Sequence, residues 1–141
     1  MNRISVSVPK TKIYTSIKLP SSKSICNRAL IIRALSKGDE RIDNLSDCDD
    51  TRVMVKALEE MAPTIDIMAA GTAMRFLTAY LSVTEGKHTI TGTERMKQRP
   101  ISILVDALRM LGADIEYAEN EGFPPLNIKG KALVGGEISL P

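Results

Sequence analysis

The chain opens on an alternation. Ile4, Val6 and Val8 are separated by single polar residues, the period-two pattern of a half-buried strand, until Pro9 interrupts it. A second extended stretch follows with Tyr14, Ile17 and Leu19. From Ser24 to Lys37 the period lengthens. Ile25, Ala29 and Ile32 share one stripe and Leu30, Ile31 and Leu35 another, which predicts a helix stopped by Gly38. Arg41–Ser46 reads as a short strand entering an acidic turn of Asp47, Asp49 and Asp50. Those carboxylates suit the open N–H groups and dipole at the start of a second helix, whose apolar face is Met54, Ala57, Leu58 and Met61.

The order then recurs. Gly71 and Thr72 open a third helix with Met74, Leu77 and Leu81 on one face, stopped near Gly86, and His88–Thr93 alternates like a strand. Pro100 is expected at the first position of a fourth helix, where a missing N–H costs nothing. Its face is Ile101, Leu104, Val105, Leu108 and Leu111, ended by Gly112. The second and fourth helices align at a constant offset of 50, pairing Val53 with Ile103, Val55 with Val105, Met61 with Leu111 and Ile65 with Ile115. The first and third align less well at an offset of 47, through Arg28/Arg75 and Leu30/Leu77. Two copies of a helix–strand–helix–strand unit predict an α/β domain. The second copy ends in two strands, ADIEY and PLNIKG, where the first keeps only PTIDIM. The closing GGEISLP reads as another strand entrance, so the sequence is expected to be the first part of a longer protein.

Composition narrows the classes. With 141 residues, 43% apolar and 26% charged, the chain can bury a core and is not a disordered tail. Nineteen basic against 17 acidic side chains leave a net charge of only +2, too little for a dedicated nucleic-acid binder. Tyr14, Tyr80, Tyr117, Phe76 and Phe123 are the only aromatics, too few for a base-stacking surface. Cys26 and Cys48 form neither a disulfide framework nor a zinc motif and read as reduced thiols. No signal peptide and no apolar run of about 20 residues is present, so the expected location is the cytoplasm.

The chemistry clusters at helix starts. Lys23, Ser24, Asn27 and Arg28 crowd the first turns of the first helix, on adjacent stripes beside its unpaired N–H groups, a setting suited to phosphate. AAGTAMRF repeats the device, with Gly71 letting a ligand approach the backbone. Arg95, Lys97 and Arg99 precede Pro100, where the first copy has its acidic turn. If equivalent turns share one rim, Lys23, Arg28, Arg99 and the Gly71 turn converge on a multiply anionic ligand. His88, the single histidine, lacks any triad partner and reads as structural; no metal motif is visible.

LPSSKSICNRAL, SDCDDTRVM, AAGTAMRFL and GTERMKQRPISILVDALRMLGA, in this order, resemble the signature blocks of the 5-enolpyruvylshikimate-3-phosphate synthase family. The resemblance runs from Leu19 to Pro141. It implies the enolpyruvyl transferase fold, an α/β prism of βαβαββ units, of which this chain would hold two of the three in one domain. Residues 1–20 would be strands belonging partly to the other domain. Residues 21–141 would be a partial domain with repeats at about 21–86 and 87–141. The implied reaction moves the enolpyruvyl group of phosphoenolpyruvate to the 5-hydroxyl of shikimate 3-phosphate, releasing phosphate, with no cofactor and no metal, in a parent expected to be monomeric. By motif position, Lys23 would touch both substrates and assist proton transfer. Ser24 and Arg28 would hold shikimate 3-phosphate; Gly71 and Arg99 would hold phosphoenolpyruvate. Asn27, Asp50, Thr72 and Arg75 would support them.

Three departures stand out. Ala69 replaces a usual Asn and Phe76 a usual Pro, which implies weaker inhibition by glyphosate, a competitor for the phosphoenolpyruvate site. The segment between Met61 and Ile67 is shortened. The family's Ser-Ser-Gln loop and catalytic acids would lie beyond Pro141, so the isolated chain is expected to be inactive. Two other readings are a non-catalytic anion-binding module and a relative of the UDP-N-acetylglucosamine enolpyruvyl transferase. The first block differs from the latter, and neither Cys26 nor Cys48 stands where its catalytic loop cysteine would.

Overall fold

The computed structural model describes residues 3–8 and 12–139, and within them five helices and four strands. Helix α1 spans Lys23–Leu35 and α2 spans Asp49–Glu60, where Cys48 is the N-cap and Asp49 and Asp50 fill the first turn. Strand β1, Thr64–Asp66, is short. Helix α3 runs Gly71–Val83, strand β2 Gly86–Thr91, helix α4 Glu94–Lys97 and helix α5 Ser102–Met110. Strands β3, Asp114–Tyr117, and β4, Leu126–Gly130, close the order.

The strands form one sheet in the order β1-β2-β4-β3. β1 runs parallel to β2, because α3 carries the chain back over the sheet; β2, β4 and β3 are antiparallel. Ile65, Ile90, Leu126, Ile128 and Ile115 point to the helical side and are buried. Thr89 and Asn127 pair on the other face, Thr89 Oγ1 donating to Asn127 Oδ1 at 2.8 Å. One face apolar and one polar is the signature of a two-layer domain.

Helix α3 is the hub. It packs on β2 and β4 and against α1, α2 and α5. Ala73, Met74, Leu77 and Leu81 are buried along it. Its buried hydroxyls are satisfied within the helix: Thr78 donates to the Met74 carbonyl and Ser82 to the Thr78 carbonyl, each at 2.7 Å. The Thr84 carbonyl, just past the helix, lies directly on Gly130, where no side chain could fit. His88 is buried, with Nδ1 2.8 Å from the Ala62 carbonyl, the structural role expected of it.

The expected repeat has a mixed outcome. Ala57 and Ala107 are both buried, and Ile65 and Ile115 both sit in edge strands. Ile103, however, is exposed where its counterpart Val53 is partly covered. Several expected elements are absent among the described residues. Residues 3–8 and 12–20 have no regular secondary structure, and Ile4, Val6, Val8, Tyr14, Ile17 and Leu19 are exposed. An alternating pattern supplies an apolar face, but a strand also needs a neighbour for its N–H and C=O groups. Pro9 lies outside the described residues.

Arg41–Ser46 is irregular rather than a strand, because Asn44 adopts a left-handed backbone (φ 55°) and its carbonyl accepts from Ser21 Oγ. Residues 131–139 are also irregular, so GGEISLP begins no strand there, while Leu140 and Pro141 lie outside the described residues. Helix α1 ends two residues early, at Leu35, as Lys37 turns left-handed (φ 52°). Pro100 stands before Ile101, the N-cap of α5, not at the helix's first position.

Candidate anion site at two helix starts

Helix α1 begins where Ser22 Oγ accepts from the Ile25 N–H at 3.5 Å. Lys23, Ser24 and Arg28 are exposed on its first turns. Lys23 Nζ lies 3.3 Å from Asp50 Oδ1, at the start of α2, with the two side chains 47% and 20% exposed. A pair this open contributes at most about 1 kcal/mol, so an incoming anion competes for Lys23 at little cost. Arg28 donates from Nη1 to the Ser24 carbonyl at 3.0 Å, and its guanidinium carbon stands 5.7 Å from the centroid of the Phe76 ring on α3.

Asn27 does not share that exposed rim. It is fully buried, its Oδ1 accepts from Thr51 Oγ1 at 3.1 Å, and its Nδ2 has no partner among the described residues. Beside it Cys26 Sγ accepts from the Ser46 N–H at 3.2 Å. Both contacts fasten α1 to the start of α2, and hence Lys23 to Asp50. The Cys48 thiol lies 3.4 Å from Thr51 Oγ1. Hydrogen bonds from Ser46 first, and then Thr51, hold its pKa below the ordinary thiol value.

The second helix start is built differently. Ala70 caps α3 without a side-chain acceptor, and no acid occupies its first turn, so no side chain caps the leading N–H groups. Thr72 is half-buried there. The four-residue α4 shapes the approach: Thr93 Oγ1 accepts from the Met96 N–H at 3.3 Å and the Arg99 N–H donates to the Met96 carbonyl at 3.0 Å. This turn sends the Arg99 side chain back onto Gly71. A Cβ added at Gly71 would overlap Arg99 Nη1 and stand 2.8 Å from Cζ and 3.0 Å from Nη2, so the guanidinium occupies the space that a side chain at position 71 would take. Arg75 fastens the pair, donating from Nη1 to the Gly71 carbonyl at 3.2 Å and from Nη2 to the Pro100 carbonyl at 3.3 Å. Arg75, Pro100, Ile101, Ser102, Leu104 and Ala107 line a groove alongside.

Of the three cations expected on one rim, only Arg99 reaches the Gly71 turn. Lys97 is drawn to Glu119 at 2.9 Å and Glu94 at 3.4 Å, and the Glu119 carboxylate raises its pKa. Arg28 approaches α3 through Phe76, while Lys23 is turned toward Asp50. The sequence marks Phe76 only as a departure from the family's Pro; its contact with Arg28 is not visible there, since the two lie 48 positions apart and no local spacing links them. Among the described residues, no group of three or more His, Cys, Asp or Glu is placed to hold a metal ion, and no helix is long and apolar enough to cross a membrane.

A helix-on-sheet α/β unit with basic side chains gathered at two helix starts is thus the class that fold and site define. The sequence model of the EPSP synthase (3-phosphoshikimate 1-carboxyvinyltransferase) family matches residues 8–68 and 62–141, and the chain belongs to that family. A 3-phosphoshikimate 1-carboxyvinyltransferase of Bacteroides fragilis (strain YCH46) is 71% identical over 130 residues, 92% of this chain and 32% of the relative. One from Photobacterium damsela subsp. piscicida is 43% identical over 158 residues, 94% of this chain and 37% of the relative. This chain therefore spans about a third of the length of such relatives. The second alignment is longer than the chain itself, 158 positions against 141, and the family model matches in two stretches that overlap at residues 62–68. EPSP synthase of Acinetobacter baumannii, solved at 2.37 Å, superposes with a TM-score of 0.80 at 23% identity, covering 89% of this chain and 34% of that one. The expected enolpyruvyl transferase fold is therefore present.

Proposed function

We propose that this chain is the N-terminal part of an enzyme that transfers the enolpyruvyl group of phosphoenolpyruvate to the 5-hydroxyl of shikimate 3-phosphate. In this reading the α1 start receives shikimate 3-phosphate, with Ser24 and Arg28 on its phosphate. The α3 start receives phosphoenolpyruvate, with open backbone N–H groups and the Arg99 fork on its anionic groups. Lys23, released from Asp50 by the arriving anions, touches both substrates and helps move a proton. Asp50, Asn27, Thr72 and Arg75 hold these groups in place. The protein works as a cytoplasmic monomer on small molecules alone, in the synthesis of chorismate and aromatic amino acids.

The observation that carries the reading is the Arg99 guanidinium lying on Gly71 beside an uncapped helix start. A guanidinium fork beside uncapped N–H groups suits an anion with more than one charged face better than any neutral ligand. The roles given to Lys23, Ser24, Arg28, Gly71 and Arg99 rest on this geometry and on family membership.

Amide NMR titration of the 141-residue chain tests it. With shikimate 3-phosphate, Lys23 and Ser24 should shift first; with phosphoenolpyruvate, Gly71 should. One wall of a cleft excludes water poorly, so affinity should be millimolar, about −4 kcal/mol. Shifts centred on Asp47, Asp49 and the α2 start would contradict the assignment.

A further inference from the structure

Arg28 extends from α1, is exposed, and among the described residues has only one hydrogen bond of its own, from Nη1 to a carbonyl one turn earlier on the same helix. A long side chain so held would sample many rotamers and lose that freedom on binding an anion. The Phe76 ring changes this. It stands on α3, half-buried, with the Arg28 guanidinium carbon 5.7 Å from its centroid, inside the range where the negative face of an aromatic ring attracts a cation. The residue before it, Arg75, ties Gly71 to Pro100 and so holds the Arg99 guanidinium's seat. Two successive residues of α3 thus touch the two halves of the proposed site, one through each side chain.

We infer that Phe76 is a positioning residue, whose ring orders the Arg28 guanidinium for an anion at the α1 start and so joins that half-site to the Gly71–Arg99 half-site. The ring touches no substrate in this arrangement; it acts through Arg28. The inference rests on the proposed function for the identity of the anion, but the contact between ring and guanidinium does not.

Three variants of the 141-residue chain separate the possibilities: Phe76→Leu, which keeps apolar bulk without the ring's charge distribution, Phe76→Tyr, which keeps the ring, and Arg28→Gln. The probe is shikimate 3-phosphate, with inorganic phosphate beside it. Phe76→Leu should weaken shikimate 3-phosphate roughly two- to fivefold, the range expected of an exposed cation–π contact. Phe76→Tyr should restore wild-type affinity. In the Arg28→Gln background Phe76→Leu should change nothing. An equal loss from Phe76→Leu with and without Arg28 would mean that the ring acts by packing alone and would overturn the inference. If the unmodified chain binds neither probe, the proposed function fails. The inference is then decided by the Arg28 Nε–Hε resonance: a ring-current shift that Phe76→Leu abolishes supports it, and no change overturns it.

Discussion

Replacing Gly71 by alanine separates the site from the fold. The new methyl would stand 2.8 Å from Arg99 Cζ and 3.0 Å from Nη2, well inside van der Waals contact. A comfortable separation is about 3.5–4.0 Å, so the guanidinium must retreat by roughly 1 Å or more, Nη1 furthest. The backbone has no need to follow, since Gly71 is not among the residues of positive φ and alanine favours a helix by up to about 1 kcal/mol over glycine. Thermal stability should therefore hold or rise while the anion site suffers. Complete loss of a charge-assisted contact costs about 1.5–3 kcal/mol. A displaced but present fork should forfeit part of that, about 1–2 kcal/mol, which is a five- to thirtyfold weaker affinity for phosphoenolpyruvate. The assay is an NMR titration of the chain, or the phosphoenolpyruvate KM in a full-length enzyme carrying this sequence, paired with a thermal melt. In an Arg99→Ala background the same substitution should add nothing. A loss that persists undiminished there, or an unchanged affinity in the single variant, would refute a role for Gly71 as the seat of Arg99.

Other substitutions probe the supports. Asn27→Ala removes the Thr51 hydroxyl's acceptor across the α1–α2 contact, leaving it only the weak sulfur contact of Cys48, and should cost about 1–3 kcal/mol in urea denaturation; a variant as stable as the parent would show that the α1–α2 tie is dispensable. Tyr117→Phe removes a buried hydroxyl that has no partner among the described residues, so stability should rise, by about 1 kcal/mol. Burial raises the Tyr117 pKa, so its contribution is complete below the ordinary tyrosine value and is lost as pH rises through the folded value. A pH series of melts above about pH 10 should therefore fall less steeply in the Phe variant. Cys48 has the opposite sign: its lowered pKa stabilises the fold only above the ordinary thiol value and is lost as pH falls through the folded one. Its alkylation by iodoacetamide should set in at lower pH than in the unfolded chain, and Ser46→Ala should shift that onset upward.

The helices were legible because each carries its own evidence. α2 has an acidic first turn and a 3.6-residue apolar stripe, and α3 has the Gly71 start and the run Met74, Leu77, Leu81. The strand at 4–8 failed because its pattern described a side-chain face while pairing depends on residues far away, and the one at 41–46 because Asn44 turns left-handed. Helix α4 escaped notice because one turn has no period to detect; Thr93 as a cap was its only signal. At the site, Lys23, Ser24, Arg28, Gly71 and Arg99 stood out as residue types suited to anions near helix starts. Their partners did not. The Arg99–Gly71 seat, the Arg75–Pro100 tie and the Arg28–Phe76 contact span 25 to 48 positions and are set by how helices lie on the sheet.

Strand β4 lies between β2 and β3, though it is the last of the four to be synthesised. On a ribosome, β2 is complete at Thr91, but its antiparallel neighbour is not finished until Gly130. At about 5–20 residues per second that is roughly 2–8 s during which one flank of β2 offers unpaired backbone groups. β3 emerges in the same interval with no partner at all. An open strand edge is a template for another chain, so crowded polysomes are where this sequence is most exposed to misassembly. Slowing translation between codons 92 and 130 should lower its yield of folded protein, whereas slowing it after 130 should not.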